Sequence, residues 1–165
     1  MPSRQYTKRQ LDTMAKQRCG EIRATILKRR VGMTRADFGR DDIEVDVKKV
    51  VAACSLDFPP YIARTGTNND TLWNAHPLLQ QFYHNVGLQI GQTPPRAMQL
   101  YHVKPYPAGH CAEPHAVHRL FNSVPFRLLQ GVTVNNLLFS TAFDIKNNAP
   151  HPYCGTCLHT FPQLR

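Results

Sequence analysis

The pair Cys154-Gly155-Thr156-Cys157 constrains this chain more than any other feature. Two cysteines separated by two residues at a helix start bring both sulfurs to one side, within reach of a single zinc ion. Zinc needs further ligands, so another part of the chain has to return to the same point. The segment that offers one is Cys111-Ala112-Glu113. Any fold built on this pattern must bring the starts of two helices together across everything that lies between them.

The cysteines stand at 19, 54, 111, 154 and 157. An odd number in a chain without an export signal argues against a disulfide framework and for a metal site or buried thiols. Taken alone, Cys-x-x-Cys serves redox chemistry as readily as metal binding. Cys111 shifts the balance, because three thiolates around zinc leave the fourth tetrahedral position to water, as catalytic sites do. Glu113 is too near Cys111 to bind the same metal beside it, yet it can reach that water and move its proton. Two duller readings stay open. A histidine (His110, His115, His151 or His159) closes a structural zinc knot, or no metal binds and the thiols are small core residues.

Residues 7–31 place Leu11, Met14, Ala15, Cys19, Ile22, Ile26 and Leu27 at helical spacing with Lys and Arg on the other face, and Gly32 marks the stop. Asp41 and Glu44 have the form of a capping box ahead of Ile43, Val47, Val50, Val51 and Cys54. Residues 42–55 therefore read as a second helix, with a strand as the alternative that the β-branched residues allow. Residues 61–64 read as an edge strand before a polar turn at 65–70, 72–83 as a helix, and 97–103 as an alternating strand. A helix follows from 110, with Pro114 tolerated in its first turn. Residues 132–143 form the strongest strand, and Cys154 opens a last helix. Cys19 and Cys54 fall on apolar faces and are assigned to the core, as are Trp73, Phe82 and Tyr83. The expected class is mixed α/β.

Charge is distributed unevenly. Eleven of the 20 basic residues, against three acidic ones, lie in residues 1–40, which therefore hold eight of the nine net positive charges. The sequence divides into a basic helical N-terminal extension (1–40) and a nearly neutral domain (41–165). Such asymmetry suits a polyanion or an acidic partner protein, and equally a solvated helix face. Arg23, Lys28, Arg29 and Arg30 are the candidate phosphate contacts. With 42% hydrophobic and 19% charged residues the chain can bury a core. Its longest aliphatic run, Val50 to Cys54, is far short of a membrane span, and the basic N-terminus lacks the apolar stretch of a signal peptide. Neither a secretory nor a membrane protein is expected.

The segment Gly109-His110-Cys111-Ala112-Glu113-Pro114-His115-Ala116, paired with Cys154-x-x-Cys157, resembles the cytidine deaminase-like superfamily. Within it, the pattern is most similar to the bacterial polymorphic-toxin deaminases of the YwqJ-like branch, which carry Cys-Ala-Glu. The match is of motifs and covers about residues 97–160, and the family order of strand, motif helix, strand and cysteine-pair helix agrees with the elements read above. Tyr153 stands where the family usually has proline. The resemblance implies a three-layer α/β/α sandwich, here a short form whose sheet is completed by earlier segments. It also implies zinc on Cys111, Cys154 and Cys157, with Glu113 as the proton shuttle. His110 and Ala112 would then lie against the substrate. The implied reaction is hydrolytic deamination of a nucleobase, cytosine before adenine, and the basic extension favours single-stranded nucleic acid, DNA before RNA. A free nucleoside or base is the alternative substrate. A toxin role, with an acidic immunity protein as partner and action in the cytoplasm of a target cell, follows from the resemblance alone.

Overall fold

The run Val50-Val51-Ala52-Ala53-Cys54-Ser55-Leu56 is apolar except for Ser55, and such a run suits a strand covered on both faces. In the computed structural model, which describes residues 4–29, 49–99 and 102–165, it is the central strand β1 (Val50–Leu56), with every residue buried. The helix expected over 42–55 is thus a strand from residue 50 onward, Lys49 has no regular structure, and 42–48 lie outside the described residues. Around β1 stand β2 (Ala63–Thr67), β3 (Leu137–Phe139), β4 (Ala142–Asp144) and the two-residue β5 (Pro150–His151). They form one antiparallel sheet in the order β2-β1-β4-β5, with β3 also paired to β1.

Helices cover both faces. On one side α1 (Lys8–Arg29) packs Leu11, Ala15 and Cys19 against Val51, Ala53, Ala63, Phe143 and Ile145. On the other side lie α2 (Pro77–Asn85), α3 (Ala112–Asn122) and α4 (Gly155–Thr160), whose Leu79, Phe82, Val117, Leu120, Phe121 and Cys157 meet Cys54, Leu56 and Phe139. The class is therefore mixed α/β, and the helix of the basic extension is a layer of the fold. Within it Arg23 is buried and donates to the carbonyl of Ile145 and to Asn148 Oδ1. That removes it from the phosphate contacts expected of it.

The strand expected over 132–143 is broken in two. Cys54 faces Phe139 and Leu56 faces Leu137, whereas Val51 faces Phe143 and Val50 faces Asp144. Between these pairs the 137–144 segment carries one residue more than β1, which is a β-bulge at Ser140–Thr141. Ser140 Oγ accepts from Ala53 N at 2.8 Å, and the Thr141 amide donates to Asp12 of α1 at 2.8 Å. The bulge accordingly has its polar groups satisfied from two layers.

Other expectations shift with their surroundings. The polar turn expected at 65–70 begins inside β2, where Gly66 lies under α3: a Cβ there would stand 2.1 Å from Ala116 N and 2.6 Å from Ala112 O. Only glycine lets the helix backbone rest on the strand. The strand expected over 97–103 is absent from its described part, since Arg96–Met98 is a 3-10 turn and 103–107, with Pro105 and Pro107, are irregular. The helix expected over 72–83 begins at Pro77, capped by the His76 ring. Cys19, Cys54, Phe82 and Tyr83 are buried, but Trp73 is 70% exposed and is not core. Among the described residues no helix is long and apolar enough to cross a membrane.

Candidate metal centre

Three of the four residues in the Cys/Glu pattern sit on helix starts. Cys111 is the N-cap of α3, Glu113 lies in its first turn, and Cys154 is the N-cap of α4 with Cys157 one turn on. The amide of Cys157 points at Cys154 Sγ at 3.4 Å, as an N-cap acceptor should receive it. Both helix dipoles favour negative charge at this point. The backbone before Cys111 is held by α2, where the buried Tyr83 hydroxyl accepts the Gly109 amide at 3.0 Å.

The sulfurs of Cys111, Cys154 and Cys157 lie within 4.8 Å of one another. Zn–S bonds of about 2.3 Å in a tetrahedron set sulfurs about 3.8 Å apart, so the three need only small adjustments to share an ion. Cys111 Sγ and Cys154 Sγ approach to 3.0 Å. Hydrogen bonds from the other two thiols bring Cys154 down to about 3, while the bonds they make to it and their burial keep Cys111 and Cys157 protonated well above the usual thiol range. Of the three, Cys154 is the thiol whose ionisation the other two favour. A divalent cation is the group that would allow all three to ionise together.

Glu113 is 3% exposed, and Cys157 Sγ lies 3.6 Å from its Oε2. Burial pushes its carboxyl up to about 7, against the pull of its own backbone amide. A carboxyl poised there can hold or release a proton near neutrality, which a general acid–base requires.

Among the described residues no fourth ligand closes the set: the His/Cys/Asp/Glu cluster contains the three cysteines alone. His110 stacks on Tyr106 with ring centroids 5.5 Å apart, and His115 Nε2 lies 3.1 Å from the Asp70 carbonyl. His151 Nδ1 lies 3.5 Å from Asp144, and His159 Nε2 2.9 Å from the Val86 carbonyl. His115, His151 and His159 are engaged elsewhere, and none of the four histidines, His110 included, joins the sulfur cluster.

The cluster opens into a cleft of about 270 Å³, lined by Glu113, Cys111 and Cys154 together with His110, Asn68 and Tyr153 among others. That is near the lower end of the roughly 300–1,000 Å³ of small-molecule sites, room for one flat ring. Of the expected substrate contacts, His110 lines this cleft. Ala112 does not: it is fully buried beside Val50, Ala52 and Ala142. Lys28 and Arg29 are exposed on α1 but line no part of the cleft, and Arg30 lies outside the described residues. Sequence reasoning missed Asn68, Lys104, Tyr106 and Tyr153. Asn68 fell in the expected turn and Lys104 and Tyr106 in a proline-rich strand end, and nothing local marks them. Tyr153 drew notice only as a departure from the family pattern. Its hydroxyl donates to the bulge carbonyl of Ser140 at 2.8 Å, which fixes one wall. Compared with protein-family models, with curated proteins and with solved structures, the chain finds no match.

Proposed function

We propose that the protein is a zinc-dependent hydrolytic deaminase of nucleobases, with cytosine in single-stranded nucleic acid as its substrate. The observation that carries this reading is the buried Glu113 carboxyl beside a three-cysteine cluster that has no fourth protein ligand among the described residues and opens into a ring-sized cleft. Zinc held by Cys111, Cys154 and Cys157 would supply the Lewis acidity that makes a water acidic enough to ionise near neutral pH. Glu113 would take one proton from that water and pass it to the ring nitrogen, then take the second from the hydroxyl newly bonded to the ring carbon and pass it to the amino group, which leaves as ammonia. Tyr153 and His110 line the cleft beside the buried carboxyl. The sandwich of helices about the sheet, with motif helix and cysteine-pair helix meeting at their starts, supports the resemblance to the deaminase-like fold.

The test is uracil formation from single-stranded DNA, single-stranded RNA and free cytidine by the zinc-loaded protein. Turnover on the oligonucleotides is expected. Glu113→Ala should lower it by at least about a hundredfold, as removal of a general acid–base does, while zinc content stays at one per chain. Full activity in Glu113→Ala, or no uracil from any substrate, overturns the proposal. Turnover of cytidine alone would assign the free nucleoside as substrate.

A further inference from the structure

The segment that leads into the site, 103–110, has no regular structure, yet its backbone is tied down along its length. Gly155 N donates to the Lys104 carbonyl at 3.1 Å, and the Thr156 hydroxyl donates to the Tyr106 carbonyl. Ala108 N donates to the Gln92 carbonyl at 2.9 Å. A Cβ on Gly155 would stand 2.7 Å from the Val103 carbonyl, so a glycine at the head of α4 is what lets the segment lie against it. Two of these ties come from the helix that carries Cys154 and Cys157. The segment is therefore positioned relative to the sulfurs and not merely near them.

On this fixed backbone two side chains reach the surface. Tyr106 is 39% exposed, and Lys104 is exposed. Tyr106 joins Lys104 and His110: Lys104 Nζ stands 5.4 Å from the Tyr106 ring centroid, and the His110 ring lies 5.5 Å from it at an interplanar angle of 23°. All three line the cleft that holds Glu113 and Cys111. Among the described residues that line it, Lys104 is the one permanent cation, and the one acid, Glu113, is buried. An aromatic face with an ammonium beside it, preorganised at the mouth of a ring-sized cleft, matches a ligand that pairs a flat ring with a phosphate.

We propose that Lys104, Tyr106 and His110 form a nucleotide-recognition subsite at the mouth of the cleft. The Tyr106–His110 stack presents a ring face to the ligand, and Lys104 takes a phosphate oxygen. The ligand's base, cytosine, rests on the deaminase reading above, whereas the preference for a phosphorylated ligand rests on the mouth itself. The phosphate belongs either to the nucleotide in the cleft or to its neighbour in a strand.

The experiment measures binding and turnover separately on the zinc-loaded full chain. A fluorescent oligodeoxycytidine is titrated by anisotropy, with cytidine monophosphate and cytidine as competitors, for the wild type, Lys104→Gln and Tyr106→Leu. Lys104→Gln should weaken the oligonucleotide about tenfold and lower the salt slope by about one. Tyr106→Leu should weaken it about tenfold or more, with less effect on the salt slope. A parallel loss for the monophosphate places the phosphate on the bound nucleotide, and a loss confined to the oligonucleotide places it on the neighbour. Either pattern supports the subsite. Absence of oligonucleotide and monophosphate binding in the wild type, or wild-type affinity and salt slope in both variants, overturns it. Circular dichroism and zinc content of the variants identify any loss of fold, and Tyr106→Phe should restore affinity that Tyr106→Leu loses. Uracil is scored in the same samples. Binding as expected without uracil would overturn the deaminase reading and leave the subsite standing.

Discussion

Arg23 shows how far a residue's role depends on what its neighbours leave unpaired. In sequence it is one of several cations in a basic helix, and phosphate contact is the natural expectation. In the structure its guanidinium reaches past the apolar face of α1 to the carbonyl of Ile145 and the side chain of Asn148, at the turn between β4 and β5. Removing it strands a buried carbonyl. Arg23→Ala should destabilise the protein by about 1–3 kcal/mol, and Lys28→Ala, at an exposed site, by less than about 0.5 kcal/mol, both measured by urea unfolding. Local spacing was enough to mark Cys111, Glu113, Cys154 and Cys157, because a helix start fixes where its first side chains point. Lys104 and Tyr106 carry no such mark. Their placement is made by hydrogen bonds from α4, a helix some fifty positions away in the chain.

At the scale of elements, the helices were more legible than the strands. Leu11, Ala15 and Cys19 keep one face of α1 apolar, and that periodicity survives folding because a helix makes its own hydrogen bonds. β1 satisfies helical spacing and strand composition at once, since a strand buried on both faces loses the alternation that would identify it. Helix α2 illustrates a different dependence. The His76 ring accepts the Leu78 amide at 3.1 Å, and the His118 ring of α3 accepts the His76 amide at 3.0 Å. Both rings must be unprotonated at Nδ1 to do so. Burial holds both below the ordinary histidine value of 6.5, and His118 further disfavours charge on His76. The unfolded chain therefore binds protons first as pH falls. The contribution of these two rings to stability should be level above about pH 7 and decline as pH drops through the ordinary value of 6.5, against the opposite slope that the raised Glu113 carboxyl gives between about 7 and 4.5. Thermal denaturation between pH 8 and 5 checks this, and His118→Gln, which keeps an acceptor without titrating, should flatten the decline.

For the molecule as a whole, the three-cysteine cluster joins parts of the chain that the sheet holds only indirectly. Cys111 opens α3 and Cys154 opens α4, and β3, β4 and β5 lie between them in sequence. A cation on all three sulfurs binds the folded chain and leaves the unfolded one, so its affinity appears as stability. Zinc at a hundredfold excess over its dissociation constant should add about 2.7 kcal/mol, and a chelator should remove it. Differential scanning calorimetry with and without chelator reads the shift. Unchanged melting would reject a metal at this site.

The bulge at Ser140–Thr141 has a larger consequence than its size suggests. One extra residue reverses the parity of every side chain after it. Phe139 points into the core built by α2, α3 and α4, while Phe143, four residues on, points into the core under α1. A regular strand would send both to the same side. This stretch of chain therefore changes allegiance midway and is a structural member of both cores. Neither layer can be peeled from the sheet without pulling on the strand that anchors the other, so the two cores are bound to unfold as one cooperative unit.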